Sequence, residues 1–269
     1  MERPTWAPGE IDLERPSAAR MYDYYLGGSH NFAVDRQVAQ EAMKALPDLP
    51  LIMQANRAFL RRSVRYLLDQ GVRQFIDVGS GIPTVGNVHE VVHEFDPSRR
   101  VLYVDIDPIA VTHSRAILAD NASAAVIHAD LLRPEQILEH PDLRALIDLD
   151  QPVAVLINAV FHFVSDEESP GAILARFLDA LAPGSYLSIS HASYIGGEEK
   201  ITEAAEVYQR SRIPMTFRSK DEVTELFKGW SLVDPGVQLI PHWRPDPDEP
   251  VDDVYARTVS MYGGVGLKT

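Results

Sequence analysis

The chain has 269 residues, 45% apolar and 24% charged, which allows a large buried core in one large domain or two small ones. Lys and Arg number 25 against 39 Asp and Glu, a formal charge of −14 with no basic block, which argues against nucleic acid as substrate and against an anionic membrane surface as partner. With no cysteine, thiol nucleophiles, disulfides and cysteine-based zinc sites are excluded.

The N-terminal MERPTWAPGEIDLERPSAAR lacks the apolar segment of a secretory signal. No stretch approaches the ~18 apolar residues of a membrane span, so a cytoplasmic protein is expected. Residues 1–16, with Pro4, Pro8 and Pro16, read as an irregular arm. From about Pro16 to Asp69 the pattern is helical; Leu60, Val64, Leu67 and Leu68 share a face and Gly71 is the stop. QFIDVG (74–79) is a short β-branched apolar run ending in glycine and reads as a buried strand. A helix follows, with Val85, Val88, Val91, Val92 and Phe95 at helical spacing. RVLYVDID (100–107) is a second strand, and 108–119 a helix opened by Pro108 with Asp107 as cap. AAVIHAD (124–130), PVAVLINAV (152–160) and GSYLSISHAS (184–193) are further strands; Ile173, Leu174, Phe177, Leu178 and Leu181 mark a helix between the last two. Helical stretches near 198–210 and 219–228 follow. WSLVDPGVQLI (230–240) and VYARTVSMY (254–262) read as a closing strand pair. The segment 241–253 between them, with four prolines, reads as an irregular loop. Alternating strands and helices predict a mostly parallel α/β sheet of seven strands, the last antiparallel, with helices on both faces.

Open α/β sheets bind ligands at the carboxyl ends of their strands, where the strand order reverses. The first strand ends in Asp77-Val78-Gly79-Ser80-Gly81-Ile82-Pro83-Thr84. Two glycines around one residue allow a tight turn and close approach by a ligand. A dinucleotide fingerprint would place a third glycine at Thr84, and a carboxylate at Asp77 would repel a pyrophosphate. Asp77 suits instead a cationic amino group, or the amides of its own loop. The second strand ends in Asp105-Ile106-Asp107; Asp105 can take both hydroxyls of a ribose, while Asp107 caps the next helix. The third ends in Asp130-Leu131, which suits an adenine amino group and ring nitrogen, or else a plain turn. Together the three carboxylates match a phosphate-free nucleoside with a charged tail, S-adenosylmethionine.

FIDVGSGIPT, VLYVDIDP and VIHADLL resemble the first three motifs of class I S-adenosylmethionine-dependent methyltransferases. The segments RPSAARMYDYYLGGSHNFAVDR, NRAFLRRSVRYL, PVAVLINAVFHFVSD and YGGVGLKT resemble one actinobacterial family of that class, over about Arg15 to Lys268. The resemblance implies a Rossmann-like methyltransferase sheet over 71–269 behind an arm and helical cap at 1–70. It also implies S-adenosylmethionine as cofactor; the acidic charge balance and the lack of a basic groove favour a small-molecule methyl acceptor. Asp77, Gly79 and Gly81 would lie at the amino acid end of the cofactor, Asp105 at its ribose, and Asp130 with Leu131 at its adenine. Ser80, Ile106, Asn158 and Tyr22 complete the expected cofactor-binding set. Ile82-Pro83 stand where many class members carry a third small residue, which stiffens the loop.

Two readings are open for RMYDYYLGGSHNFAVDR (20–36): a cover bringing Tyr22, Tyr25, His30 and Asn31 to the pocket, or a helical hairpin packed on the sheet edge. His162, shortly after the fourth strand, is the preferred general base, with a structural histidine as the alternative; His191, in the fifth strand, is the second candidate. His242-Trp243 could touch the acceptor from the proline-rich loop. No metal-site pattern occurs. An NAD-dependent oxidoreductase and a non-catalytic S-adenosylmethionine-binding protein are the competing functions.

Overall fold

A computed structural model describes residues 14–83, 86–195, 197–247 and 251–269; Thr84 and Val85, singled out above, lie outside them. Three helices come first: α1 (Ala18–Tyr25), α2 (Ala33–Ala45) and α3 (Leu49–Asp69). The sheet then alternates with helices: β1 (Gln74–Val78), α4 (Val88–Phe95), β2 (Arg100–Asp105), α5 (Pro108–Ile117), β3 (Ala124–His128), α6 (Pro134–Leu138), α7 (Pro141–Leu146), β4 (Ala154–Asn158), α8 (Pro170–Ala180), β5 (Tyr186–Ala192) and α9 (Glu198–Arg210). The chain closes with α10 (Lys220–Glu225), β6 (Ser231–Leu232), β7 (Gln238–Leu239), α11 (Asp253–Val259) and β8 (Met261–Leu267).

The strand order is β3-β2-β1-β4-β5-β8-β6, with β7 also on β8. β1 to β5 pair in parallel, and β8 runs antiparallel to β5. The order turns back between β1 and β4, so a crevice opens above their carboxyl ends. Side chains alternate along each strand and sort into two cores. Ile76, Leu102, Val155 and Ile189 pack with Phe177 of α8 on one face. Phe75, Tyr103, Leu156 and Tyr186 pack with Phe59 and Val64 of α3 on the other. The same period of two sends Asp77, Asp105, Asn158 and Ser190 to the α3 face. Strand alternation therefore gathers these polar residues under one helix.

The closing region corrects two expectations. The stretch 230–240 is not one strand: a Pro-Gly turn, with Gly236 N donating to Val233 O at 2.7 Å, breaks it into β6 and β7. Both pieces pair with β8, so the sheet has eight strands where seven were expected. The stretch 254–262 is a helix before it is a strand. The Asp252 side chain accepts from Val254 N and caps α11, which buries Ala256 and Val259. Ser260, at φ +52°, ends it, and β8 begins one residue later. Within the loop read as irregular, Ile240–His242 form a 3-10 turn that buries Pro241. The short helices α6 and α7 were not anticipated.

Candidate active site

The turn after β1 is built on positive backbone angles. Gly79 and Gly81 stand at φ +71° and +67°, where a side chain is strained. A Cβ on Gly79 would also lie 2.4 Å from Val160, whereas the space above Gly81 is open to 4 Å. Gly79 N donates to Val104 O at 2.8 Å, and Gly81 N donates to Asp105 Oδ2 at 2.7 Å. Asp105 Oδ1 accepts from Asp107 N at 2.8 Å, so this carboxylate pins the turn to β2. Burial pushes the Asp105 carboxyl up to about 6 against the pull of those two N–H groups. Asp77 is also buried and accepts no hydrogen bond from a described residue. Burial pushes it up to about 7, with Arg57 opposing the rise and Asp105 adding to it.

Asp77, Gly79, Ser80, Gly81, Asp105, Ile106 and Asn158 line one cavity of about 270 Å³ at the strand-order reversal. Asn158 Oδ1 accepts from the Ser188 hydroxyl at 3.3 Å, while its Nδ2 is buried without a partner. The next residue, Ala159, stands at φ +57°, uncommon for alanine, and also lines the cavity.

The N-terminal helices supply the facing wall. Tyr22 and Tyr25 of α1 and Met53, Asn56 and Arg57 of α3 reach the cavity. A chain of hydrogen bonds joins this wall to the strand ends. Ala159 N lies 2.9 Å from Ser190 Oγ, which donates to Asn56 Oδ1 at 2.6 Å. Asn56 Nδ2 donates to the Tyr22 hydroxyl at 3.0 Å, which donates to Met53 O at 3.3 Å. A second tie is ionic. Arg20, 4% exposed, bonds Asp35 Oδ2 at 2.9 Å and Asp107 Oδ2 at 3.2 Å.

His30 and Asn31 do not line the cavity. The Asp23 carboxylate accepts from His30 N at 2.9 Å and from Asn31 Nδ2 at 2.8 Å, and a Cβ on Gly28 would strike that carboxylate at 2.0 Å. The glycine pair thus makes a loop folded around Asp23. Segment 20–36 divides between the two readings: Tyr22 and Tyr25 reach the cavity, Tyr24 instead accepts from Gln40 Nε2 at 2.9 Å on the exposed side, and the loop is structural.

The 3-10 turn Phe161–Phe163 after β4 brings His162 to the cavity. His162 is 6% exposed, and its Nδ1 is buried without a partner. Burial, with His191 and the Arg218 guanidinium beside it, holds the ring well below the usual histidine range. It is a neutral imidazole at physiological pH. Arg218 clamps this turn. It donates to Phe161 O at 3.0 Å, Val164 O at 3.0 Å and Asp166 Oδ1 at 2.6 Å. Thr216 N adds a bond to His162 O at 2.7 Å.

His191 stands elsewhere. It is fully buried and does not line the cavity. Its Nε2 accepts from Arg218 at 2.8 Å and its Nδ1 donates to Ala192 O at 2.8 Å, so both ring nitrogens are engaged. Burial lowers it to about 4. Asp130 and Leu131 are likewise outside the cavity lining. Asp130 Oδ1 accepts from Leu132 N at 2.9 Å, a local turn, and Leu131 packs in the core of the α8 face. Of the loop pair His242-Trp243, His242 pairs with Asp253 at 3.0 Å and Trp243 is fully buried beside Phe59. No group of three or more His, Asp or Glu among the described residues could hold a metal ion.

The sequence model of a family described as S-adenosyl methyltransferase matches residues 4–269. The chain belongs to this family. The methyltransferase is 38% identical to a solved protein of Streptomyces avermitilis MA-4680 assigned to the DUF574 family, over 97% of this chain and 100% of that one, with a TM-score of 0.92. It is 39% identical to a proposed methyltransferase of Thermobifida fusca YX, over 99% and 100% of the two chains, again at 0.92. The pyocyanin biosynthetic protein PhzM shares the fold, at 16% identity and a TM-score of 0.50, over 84% of this chain and 60% of its own. A comparison with curated proteins found no match. No helix among the described residues of the methyltransferase is long and apolar enough to cross a membrane.

Sequence reasoning had passed over Asn56, Arg57, Ser190 and Arg218. The adjacent pair Asn56-Arg57, interrupting the apolar face of α3, was the available signal for two of them. Ser190 was one of several strand serines, and Arg218 sits in a connector with no pattern around it.

Proposed function

We propose that this cavity binds S-adenosylmethionine and transfers its methyl group to a small-molecule acceptor, in the cytoplasm. One observation carries the reading: two buried carboxylates, Asp77 and Asp105, share one cavity with a positive-φ glycine turn at the strand-order reversal. The residues fit the ligand. Asp77 has unsatisfied acceptor capacity for an ammonium, Asn158 Nδ2 has a donor without a partner, and Gly81 leaves open space where a side chain would stand. Asp105, though held by backbone N–H groups, lines the cavity where ribose hydroxyls would meet its oxygens. Ile106, 62% exposed, offers an apolar face beside it. Ser80 lines the turn, and Tyr22 closes the wall across from it. The adenine falls to Ile106 in this reading, since Asp130 and Leu131 do not line the cavity. The helices before residue 70 act as the cap that excludes water.

Bound there, S-adenosylmethionine supplies a methyl carbon on a positive sulfur; transfer to an acceptor oxygen or nitrogen leaves the bonding pair on a neutral thioether and the acceptor with a proton to lose. His162 is the group placed to take that proton, because it is neutral and lines the cavity. Its burial makes it a weak base, which suits an acceptor proton that is already acidic. Arg218 and His191 hold the His162 turn without touching the cavity.

Isothermal titration with S-adenosylhomocysteine and with NAD tests the reading. Binding of the first and not the second is expected. Binding of NAD, or silence toward S-adenosylhomocysteine, would overturn it.

A further inference from the structure

The cavity has two chemically different ends. Among the described residues, every charged side chain that lines it (Arg57, Asp77, Asp105 and Asp107) belongs to the end at the glycine turn and the β2–α5 junction. The other end is walled by Leu49, Ile52 and Met53 of α3, Ile201 and Ala204 of α9, and Phe217. Ser193 and Ser260, which also line the cavity, donate their hydroxyls to backbone carbonyls and offer no free proton. A charged acceptor would therefore be stripped of water without a counter-charge.

One polar feature stands in this apolar end. Tyr25 of α1 and Tyr208 of α9 meet hydroxyl to hydroxyl at 2.9 Å, 4% and 6% exposed. Neither has another hydrogen-bond partner among the described residues. Two hydroxyls carry two protons, and one bond between them uses one. The pair therefore keeps one buried O–H, on a residue lining the cavity, with nothing to donate to. A buried donor left in this state is unfavourable, and a ligand oxygen that accepts from it is correspondingly recognised.

Resting on the methyltransferase reading of the site, we propose that the acceptor is an uncharged, largely apolar aromatic molecule, methylated on a phenol-like hydroxyl beside His162 and held at its far end by a carbonyl or ring nitrogen that accepts from the Tyr25–Tyr208 pair. The transfer balances: the new bond joins carbon to the phenolic oxygen, the carbon–sulfur bond breaks with its pair on sulfur, and the phenolic proton passes to His162 and then to water.

Three probes on one ring frame test this: 6-acetyl-2-naphthol, with phenol and carbonyl; 2-naphthol, without the carbonyl; and 6-hydroxy-2-naphthoate, with a carboxylate in its place. Each is titrated by calorimetry into protein saturated with S-adenosylhomocysteine. Failure of S-adenosylhomocysteine itself to bind would sink the cofactor site, a result separate from anything the naphthols do. With it bound, the ketone is expected to bind about tenfold tighter than either of the others and, with S-adenosylmethionine, to yield its methyl ether. A carboxylate that binds as tightly as the ketone, or a ketone that shows no binding at millimolar concentration, overturns the proposed class. The double variant Tyr25→Phe/Tyr208→Phe removes both hydroxyls without orphaning either. It is expected to lower ketone affinity about tenfold and leave 2-naphthol and S-adenosylhomocysteine unchanged, the latter also reporting that it folds. Unchanged ketone affinity in that variant would refute the tyrosine handle.

Discussion

Asp77 is the residue on which the cofactor site can be tested most sharply, because its carboxyl is pushed from its ordinary 3.8 to about 7, mainly by burial. The empty protein therefore holds this group partly protonated at neutral pH. A ligand ammonium needs the ionised form, so apparent affinity is reduced by the fraction that is not competent. With a value near 7, that fraction makes binding about tenfold weaker at pH 6 than at pH 8. The stability of the empty protein runs the opposite way. A carboxyl raised above its unfolded value binds more protons folded than unfolded between about pH 4 and pH 7, so stability falls as pH rises through that window. The full displacement corresponds to ~4 kcal/mol at pH 8 relative to a carboxyl free to ionise in water. Asp77→Asn removes the charge with little change of shape. Its empty form should match or exceed the wild type in melting temperature at pH 8, while its affinity for S-adenosylhomocysteine falls about 100-fold, ~3 kcal/mol, and loses the pH dependence that Asp77 imposes, leaving only what Asp105, near 6, contributes. The assay is titration calorimetry at pH 6, 7 and 8 with scanning calorimetry of the empty protein alongside. An affinity for the wild type that is flat from pH 6 to 8, together with a variant that binds within threefold of it, would refute the assignment of Asp77 to a cationic ligand group.

Gly79→Ala meets two obstacles: a φ of +71° and a contact of 2.4 Å with Val160. It should lower the melting temperature and weaken S-adenosylhomocysteine binding; adding Val160→Ala should restore only the steric part and leave ~1–2 kcal/mol from the backbone angle, measured by denaturant unfolding. His162→Gln keeps a polar side chain of similar size in the turn held by Arg218, so cofactor affinity should stay within threefold while kcat falls ~100-fold or more in a radiolabelled methyl-transfer assay. Unchanged turnover would make His162 a structural histidine.

The parallel half of the sheet was legible because β1 to β5 are short apolar runs bounded by Gly, Asp and Pro, and such runs have few alternatives. The antiparallel end was not. VYARTVSMY has the β-branched and aromatic composition of a strand, yet Asp252 caps it into a helix and burial of Ala256 and Val259 three residues apart keeps it there. Local propensity lost to a cap and a packing face. The site divides along similar lines. Asp77 and Asp105 could be found because they end buried strands on either side of a glycine turn. His191 could have been set aside by the same alternation, since it shares its face with Leu187 and Ile189, opposite Ser190. Asp130 carried no such warning. β3 ends at His128, and the next residues curl into a turn that uses the carboxylate locally. Asn56 and Arg218 come from a helix and a connector far from the strands in sequence, so only the tertiary fold brings them in.

The helices before the sheet are part of the site's construction. Without them, Ser190 Oγ and the carboxylate of Asp107 would lose their partners at the strand ends. With them, Asn56 Oδ1 takes the Ser190 proton, Asn56 Nδ2 fastens Tyr22, and Arg20 neutralises Asp107 in company with Asp35. Each hydrogen bond contributes only about 1 kcal/mol net, but a buried partner left unmatched costs about 1–3 kcal/mol, and an unpaired buried charge more. That asymmetry penalises a partly detached cap, because it would leave one half of several buried pairs unsatisfied. The cap therefore docks in the one register that satisfies all of them, and the same register carries Tyr22 and Tyr25 to the wall of the cavity. A polar network of this kind gives little stability for its size. What it gives is a fixed position for the cavity wall that carries Tyr22 and Tyr25.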